Sequence, residues 1–339
     1  MSEIINISKS EIIFTQTQKD DTIKETKKQT VWFWKGDETL KRKIHIWKKW
    51  WPLYLMLLPG LIYIVIFNYV PMYGVTIAFK DFYASKGIWG SPWVGTEHFR
   101  RVFRSPDFLP ILWNTLSLSI YQLAATFPLP IILALLINAS HSKRFGKFVQ
   151  NVTYAPYLVS IVVLVGMMMI MLAPRGVFNT IFAWFGKEAQ LFMGEEKYFR
   201  HIFVLSAIWQ TTGWNSIIYL ATLSGVNTEL YEAARMDGAG KLQRIIHIDM
   251  PHIVPTIAII LTLNAGAVMS LGFEKAYLMQ NDLNIGASEI LSTYVYKKGL
   301  LDIDYGYSAA VGLFNNVINL IVLLLVNKAA KKITKSSLF

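Results

Sequence analysis

The sequence predicts an all-helical protein that crosses a membrane several times. Hydrophobic residues make up 53% of the chain and charged residues only 16%, whereas soluble domains carry about 25% charged residues. Six long windows contain no Asp, Glu, Lys or Arg, and a helix needs about 20 mostly apolar residues to cross a bilayer. Basic residues lie between these windows and do not gather in one polar domain. We therefore predict an all-α integral membrane protein with six transmembrane helices.

The six uncharged windows set the predicted spans. They run from Trp50 to Phe79, from Phe108 to Ser142, from Phe148 to Pro174, from His201 to Thr228, from Met250 to Phe273 and from Tyr305 to Asn327. The first two windows are longer than one span requires. Their helices are predicted near 52–70 and 111–139.

The distribution of basic residues predicts the orientation. Of the 33 Lys and Arg residues, 21 lie before the first window, between the second and third, between the fourth and fifth, or after the sixth, and 12 lie in the other links. Cytoplasmic segments carry the excess of positive charge. Both termini are therefore predicted in the cytoplasm, with membrane lipid as a partner of the spans.

A basic and aromatic cluster precedes the first window. Its members are Lys41, Arg42, Lys43, Trp47, Lys48, Lys49, Trp50 and Trp51. Such a cluster can bind nucleic acid, but Trp rings also sit at headgroup depth and lysines meet anionic lipid beside a span. We favour the membrane interpretation and predict no nucleic-acid partner. The polar segment 1–30 ahead of it is predicted to be mostly disordered.

Several functional classes lack the residues they need. Proton-driven transporters keep an ionisable residue inside the membrane, and none of the six windows has one at its centre. The chain also lacks a G-x-x-x-x-G-K-[ST] phosphate loop, an H-E-x-x-H metal site, a G-x-S-x-G nucleophile elbow and any cysteine. We predict no catalytic residue, metal site or bound cofactor in this chain, and an energy source outside it.

The link between the fourth and fifth windows contains the most informative segment. It reads Glu232-Ala233-Ala234-Arg235-Met236-Asp237-Gly238-Ala239 and continues through Ile248 to Pro251 and Pro255. An Asp-Gly pair predicts a turn. The segment is predicted to form a short helix, a turn and a second short helix that stops at Pro251. We expect the segment to form a compact surface for docking a partner protein, because it combines small residues with the apolar Leu242, Ile245, Ile246 and Ile248.

The order E-A-A-x-x-D-G, nine residues, then I-x-x-P resembles the EAA loop of type I ABC importer permeases. This resemblance implies that fold, an ATPase dimer that binds ATP and Mg, and a role for the loop in coupling to it. The implied coupling residues are Glu232, Ala233, Ala234, Asp237, Gly238, Ala239, Ile248 and Pro251.

Further segments resemble the branch of that family that imports oligosaccharides. They are Pro71-Met72-Tyr73-Gly74, Gly90-Ser91-Pro92-Trp93-Val94-Gly95, Asn114-Thr115, Tyr154-Ala155-Pro156, Tyr219-Leu220-Ala221, Tyr294-Val295-Tyr296 and Ala310-Val311-Gly312-Leu313-Phe314. In that branch a second, different permease completes the pathway and an extracytoplasmic solute-binding protein delivers the sugar. The resemblance places the chain in the bacterial cytoplasmic membrane as a subunit that is not itself an enzyme.

The predicted organisation combines the windows with this resemblance. Residues 1–50 form a cytoplasmic tail, and 51–108 form the first transmembrane helix and an extracytoplasmic loop. Residues 109–328 form the core permease domain with five transmembrane helices and the coupling loop 231–255, and 329–339 form a cytoplasmic C-terminal tail.

Some loop residues admit two roles or depart from the family pattern. Glu232 either pairs with a basic residue of the ATPase or complements the N-terminus of its own helix. Asp237 is interpreted as structural and Gly238 as a backbone requirement. An aromatic residue commonly stands where Ile245 is, and a small hydroxyl residue is usual where Asp249 is.

Candidates for the solute path are aromatic and amide side chains in the fourth and fifth windows. These are Trp209, Gln210, Trp214, Asn215 and Asn264. They can meet sugar hydroxyls without burying a charge, although each polar one can equally make an interhelical hydrogen bond. Gly266 and Ser270, four residues apart, indicate close helix packing.

Two alternatives to an oligosaccharide importer remain open. The EAA loop is shared by importers of other solutes, and a membrane-embedded sensor can use such a loop to dock an ATPase-like partner. A bound ligand or an uptake assay distinguishes an importer of another solute from an oligosaccharide importer. Co-purification with an ATPase and a second permease distinguishes an importer from a sensor.

Overall fold

The computed structural model of the protein describes residues 50–334. The predicted tails 1–50 and 329–339 therefore lie mostly outside the described residues, except that the last helix continues to Thr334. Within 50–334 the structure contains no β-strand, and an isolated antiparallel bridge joins Lys80 and Trp93.

Thirteen helices are labelled in chain order. They are α1 (Trp50–Phe79), α2 (Glu97–Arg104), α3 (Phe108–Asn138), α4 (Lys143–Tyr154), α5 (Ile161–Met171), α6 (Val177–Trp184), α7 (Glu196–Leu223), α8 (Thr228–Met236), α9 (Lys241–Gly266), α10 (Phe273–Met279), α11 (Ile285–Ser288), α12 (Leu291–Tyr296) and α13 (Tyr305–Thr334).

Among the described residues, α1, α3, α9 and α13 are the four helices long and apolar enough to cross a membrane, and α4 with α5 makes a fifth if the bent pair counts as one span. Helix α7 has 28 residues, or about 42 Å of length. Its hydropathy is lower than that of the four membrane-crossing candidates because polar residues occupy its middle. The count of six spans stays a prediction.

The third window does not form one straight helix. Helix α4 passes through a short 3₁₀ turn, Ala155–Leu158, and then the chain bends by 96° into α5. Pro156 cannot continue the α-helical hydrogen bonds. Ser160 caps the new helix because its side chain accepts from the Val163 amide at 3.4 Å.

The prediction that the second loop helix stops at Pro251 is wrong. The chain forms helix at Lys241–Arg244, widens to a π-turn at Ile245–Asp249, and continues as helix through Met250–Gly266. The Met250 amide donates to the Ile245 carbonyl, the wider spacing of a π-turn. Pro251 and Pro255 each remove one amide donor, and in this helix the chain continues past both.

The chain divides into two compact units at Gly74. In the described part of the first unit, α1 exposes its apolar side chains throughout, which suits contact with lipid. The second unit, Val75–Phe339, contains the apolar core. One core cluster joins α3, α7 and α9 through Ile131, Tyr219 and Ile253, and it holds together the three helices that form the candidate site.

Candidate functional site

A cleft of about 780 Å³ lies between α3, α7, α9 and the link that follows α9. None of the residues that line it is charged. Its polar and aromatic lining residues are Ser119, Gln122, Thr126, Phe127, Thr211, Trp214, Asn215, Tyr219, Asn264 and Ser270. The cleft therefore offers hydroxyl, amide and ring surfaces but no formal charge.

One face of α7 lines the cleft. Thr211, Trp214 and Asn215 belong to it, because residues three or four apart lie on the same side of a helix. Trp209 is about 160° around the helix axis from Thr211 and is 53% exposed outside the cleft. Trp209 therefore does not line this cleft.

Gln210 also lies outside the cleft. Its side-chain amide donates to the Val159 carbonyl at 3.2 Å. This bond ties α7 to the bend between α4 and α5. Gln210 thus has the interhelical packing role that was the alternative to a solute contact.

Asn215 and Asn264 face the cleft from α7 and α9. Both side chains are exposed, and within the described part of the chain neither makes a hydrogen bond. Their amides are therefore available to a solute or to a second subunit. The expected packing of Gly266 is confirmed, because a Cβ at this position would lie 2.7 Å from the Leu323 Cδ1 atom of α13.

The sequence analysis did not predict that α3 lines the cleft. Ser119, Gln122 and Thr126 line the cleft from that helix, and the Gln122 Oε1 atom is buried without a hydrogen-bond partner in the described structure. The three residues are spaced i, i+3 and i+7 in an otherwise apolar window. That spacing marks one helix face and is the signal that identifies them.

The second candidate region is the coupling loop. Helix α8 ends at Met236, and Gly238 has a φ of +76°. The Gly238 amide donates to the Arg235 carbonyl at 3.1 Å, and the Ala239 amide donates to the Ala234 carbonyl at 2.8 Å. These bonds make a Schellman motif. The predicted turn is present and its backbone requires glycine.

The loop presents an exposed apolar surface. Leu230, Met236, Leu242 and Ile246 are 53%, 88%, 68% and 51% exposed. Ala233 is exposed, whereas Ala234, Ala239 and Ile248 are half-buried and Pro251 is exposed. Exposed apolar patches of this kind mark interaction surfaces.

The position of Glu232 in α8 bears on the two roles considered for it. Helix α8 begins at Thr228, and the Asn227 side chain caps it by accepting from the Glu229 amide at 3.0 Å. Glu232 lies in the second turn, beyond the reach of the helix N-terminus. It is exposed and has no ion pair in the described residues. The Asp237 side chain is exposed and makes no bond there either, so backbone bonds hold the turn.

Comparison with known proteins identifies the family. The family described as binding-protein-dependent transport system inner membrane component matches residues 112–335. The chain belongs to this family. Members are membrane components of transport systems, and this one is a multi-pass protein of the inner membrane. The chain is also 44% identical to the polygalacturonan/rhamnogalacturonan transport system permease protein YteP of Bacillus subtilis, over 85% of this chain and 90% of that protein.

Two solved structures resemble this family member closely. One is the crystal structure of a bacterial ABC transporter involved in the import of the acidic polysaccharide alginate, with 39% identity, a TM-score of 0.80, and coverage of 86% of this chain and 99% of that one. The other is a bacterial alginate ABC transporter in complex with an alginate pentasaccharide-bound periplasmic protein, with 38% identity, a TM-score of 0.79, and coverage of 86% and 98%.

Proposed function

We propose that the protein is the permease subunit of an ATP-driven importer of oligosaccharides released from polysaccharides, and that it forms half of the solute pathway. The observation that carries this proposal is the uncharged cleft between α3, α7 and α9, in which the amides of Asn215 and Asn264 have no partner in the described chain. Hydroxyl-rich solutes need such groups. Charged solutes call for a buried partner or a helix terminus.

The similar proteins support a sugar substrate. YteP is named for polygalacturonan and rhamnogalacturonan, and the structural neighbour imports alginate, described as acidic. We include acidic oligosaccharides in the proposal. Because no charged residue lines the cleft, the carboxylates of such a substrate would face the second permease.

Loop 231–255 is proposed to couple the subunit to its ATPase. Its exposed Met236, Leu242 and Ile246 supply an apolar docking surface, and exposed Glu232 supplies a charge for a basic residue of the partner. ATP and Mg would bind to the ATPase dimer and not to this chain. A solute-binding protein and a second, different permease complete the proposed assembly.

The proposed topology has six spans with both termini in the cytoplasm. Four apolar helices, the bent pair α4 and α5, and the 28-residue α7 supply them. A polar α7 is compatible with a membrane when its polar face lines a cavity and not lipid. The cleft gives α7 such a face.

The experiment is purification of the tagged chain from its native cell, identification of its stoichiometric companions, and reconstitution in liposomes. We expect an ATPase and a second permease, and ATP-dependent uptake of oligogalacturonate when the solute-binding protein is added. Arabino-oligosaccharides and an amino acid are tested as alternative substrates in the same assay. Uptake of the amino acid without uptake of any oligosaccharide would contradict the proposed substrate class. Absence of an ATPase partner would contradict the proposed importer.

A further inference from the structure

Three helices meet at one buried carboxylate. Asp249, in the π-turn of α9, is only 2% exposed. The Tyr231 hydroxyl of α8 donates a short hydrogen bond to the Asp249 Oδ1 atom. The Asn138 side-chain amide, at the end of α3, lies 3.3 Å from the same Oδ1 atom and 3.3 Å from the Tyr231 hydroxyl. We call these three residues the joint.

The joint is the side-chain attachment of α8 to the other helices. No residue of α8 is buried, so apolar packing holds this helix only weakly against the rest of the chain. Among the described residues, Tyr231 makes the only side-chain hydrogen bonds from α8 to another helix. Displacement of α8 therefore reaches α3 through Tyr231, and it reaches α9 through Tyr231 and through the covalent turn 237–240.

The chemistry of the joint favours a firm connection. A hydrogen bond to an ionised group is stronger than a neutral one, and a buried carboxylate is costly to leave unpaired. Burial raises the pKa of the Tyr231 hydroxyl, and its bond to Asp249 raises it further. Tyr231 therefore keeps its proton at neutral pH and remains a donor.

Both helices reached by the joint also line the cleft. Thr126 is 12 residues before Asn138 on α3, a distance of about 18 Å along the helix. Asn264 is 15 residues after Asp249 on α9, or about 22 Å. Ile131 on α3 and Ile253 on α9, which belong to one core cluster with Tyr219 of α7, lie between the joint and the cleft along their helices.

We infer that Tyr231, Asp249 and Asn138 are positioning residues that carry movement of α8 to the cytoplasmic ends of α3 and α9, and so to the cleft. This inference rests on the proposed function and names the side chains that carry the coupling into the other helices. It also gives a reason for Asp249, one of the two residues that depart from the family pattern. A small hydroxyl side chain is too short to replace a carboxylate that accepts from two neighbouring helices.

The test uses the assembled, reconstituted complex with Tyr231→Phe, Asp249→Asn and the double variant. The readouts are retention of the ATPase, basal ATP hydrolysis, and solute imported per ATP hydrolysed. We expect each single variant to keep the ATPase and the basal rate, and Tyr231→Phe to lower import per ATP about tenfold. The double variant should lose no more than the worse single variant, because Tyr231→Phe already removes the bond that Asp249→Asn changes.

Matched controls are Tyr69→Phe and Asp282→Asn, whose parent side chains are exposed and make no bond in the described structure. Both should import normally. If the wild type is active and import per ATP is unchanged in Tyr231→Phe and Asp249→Asn, the role proposed for the joint is contradicted and the proposed function is not. A loss in which import and hydrolysis fall in proportion would indicate a purely structural role and also overturn the role proposed for the joint. A wild-type complex without uptake would overturn the proposed function as well.

Discussion

The indole ring of Trp214 stacks on the phenol ring of Tyr157, with centroids 4.4 Å apart and planes 4° from parallel. Trp214 lines the cleft, and Tyr157 belongs to the 3₁₀ turn at the bend between α4 and α5. Because the stack holds one face of the indole, the orientation of Trp214 in the cleft depends on the bend.

We predict that Trp214→Ala lowers solute-stimulated ATP hydrolysis by the assembled complex about threefold to tenfold, the effect of losing one aromatic contact. Asn264→Ala should act in the same direction. Trp209→Ala is the matched control, since Trp209 is on the opposite side of α7 and outside the cleft. Basal hydrolysis and assembly should persist in all three variants. Equal stimulation in Trp214→Ala and Trp209→Ala would remove Trp214 from the solute path.

We predict that Gly238→Ala weakens ATPase retention, whereas Gly240→Ala does not. Gly238 has a φ of +76°, a conformation that costs a residue with a Cβ about 1–2 kcal/mol. Gly240 has a φ of −68°, which alanine adopts freely. The measurement is the amount of ATPase that co-purifies with equal amounts of each membrane-inserted variant. Full retention by Gly238→Ala, or by the harsher Gly238→Pro, would contradict the role of this turn in docking.

The predicted topology can be tested directly because the chain contains no cysteine. Ser91 is a poor reporter, since its hydroxyl is buried and donates to the Gly87 carbonyl at 2.6 Å. Exposed Ser85, Asp282 and His141 are better. An impermeant thiol reagent should label Ser85→Cys and Asp282→Cys in whole cells and should label His141→Cys only after permeabilisation. The reverse pattern would place the termini outside.

We predict that stability rises with pH between about pH 7 and pH 10 because of Lys275 on α10. Its amino group is buried, donates to the Phe203 carbonyl at 2.8 Å, and has no ion-pair partner in the described residues. Burial lowers its pKa to about 7. In this range the unfolded chain binds a proton that the folded chain has released, so the free energy of unfolding rises by roughly 1.4 kcal/mol per pH unit.

Lys275→Met should remove this slope and stabilise the protein below pH 7, where the folded state of the native chain must bury a charged amine. Thermal unfolding in detergent from pH 6 to pH 10 measures both effects. The exposed Lys143→Met is the control and should keep the slope of the native chain. An identical pH profile in the native protein and Lys275→Met would show that this lysine stays charged on folding.

Much of the function was predictable from the sequence because its signals are local. The absence of charge from Phe108 to Ser142, and the order Glu232-Ala233-Ala234 followed by Asp237-Gly238, are properties of the linear chain. A turn that needs glycine also needs only its neighbours. The family, the helical class and the glycine turn after α8 followed from these signals.

Other features depended on how distant segments pack. Periodicity could not tell which face of α7 meets the cleft, because both Trp209 and Trp214 are aromatic and only the positions of α3 and α9 distinguish them. The helix also continues past Pro251, where the sequence predicted a stop, after a π-turn near the start of α9.

The sequence by itself determined the membrane class, the uncharged character of the windows and the position of the glycine turn, because hydropathy, charge and turn chemistry act over a few residues. Only the tertiary structure decided the lining of the cleft and the joint. Asn138 lies 93 residues from Tyr231 and 111 residues from Asp249 in the chain. Contacts over such separations form only when the helices pack, since a single hydrogen bond does not offset the entropy of closing so long a loop.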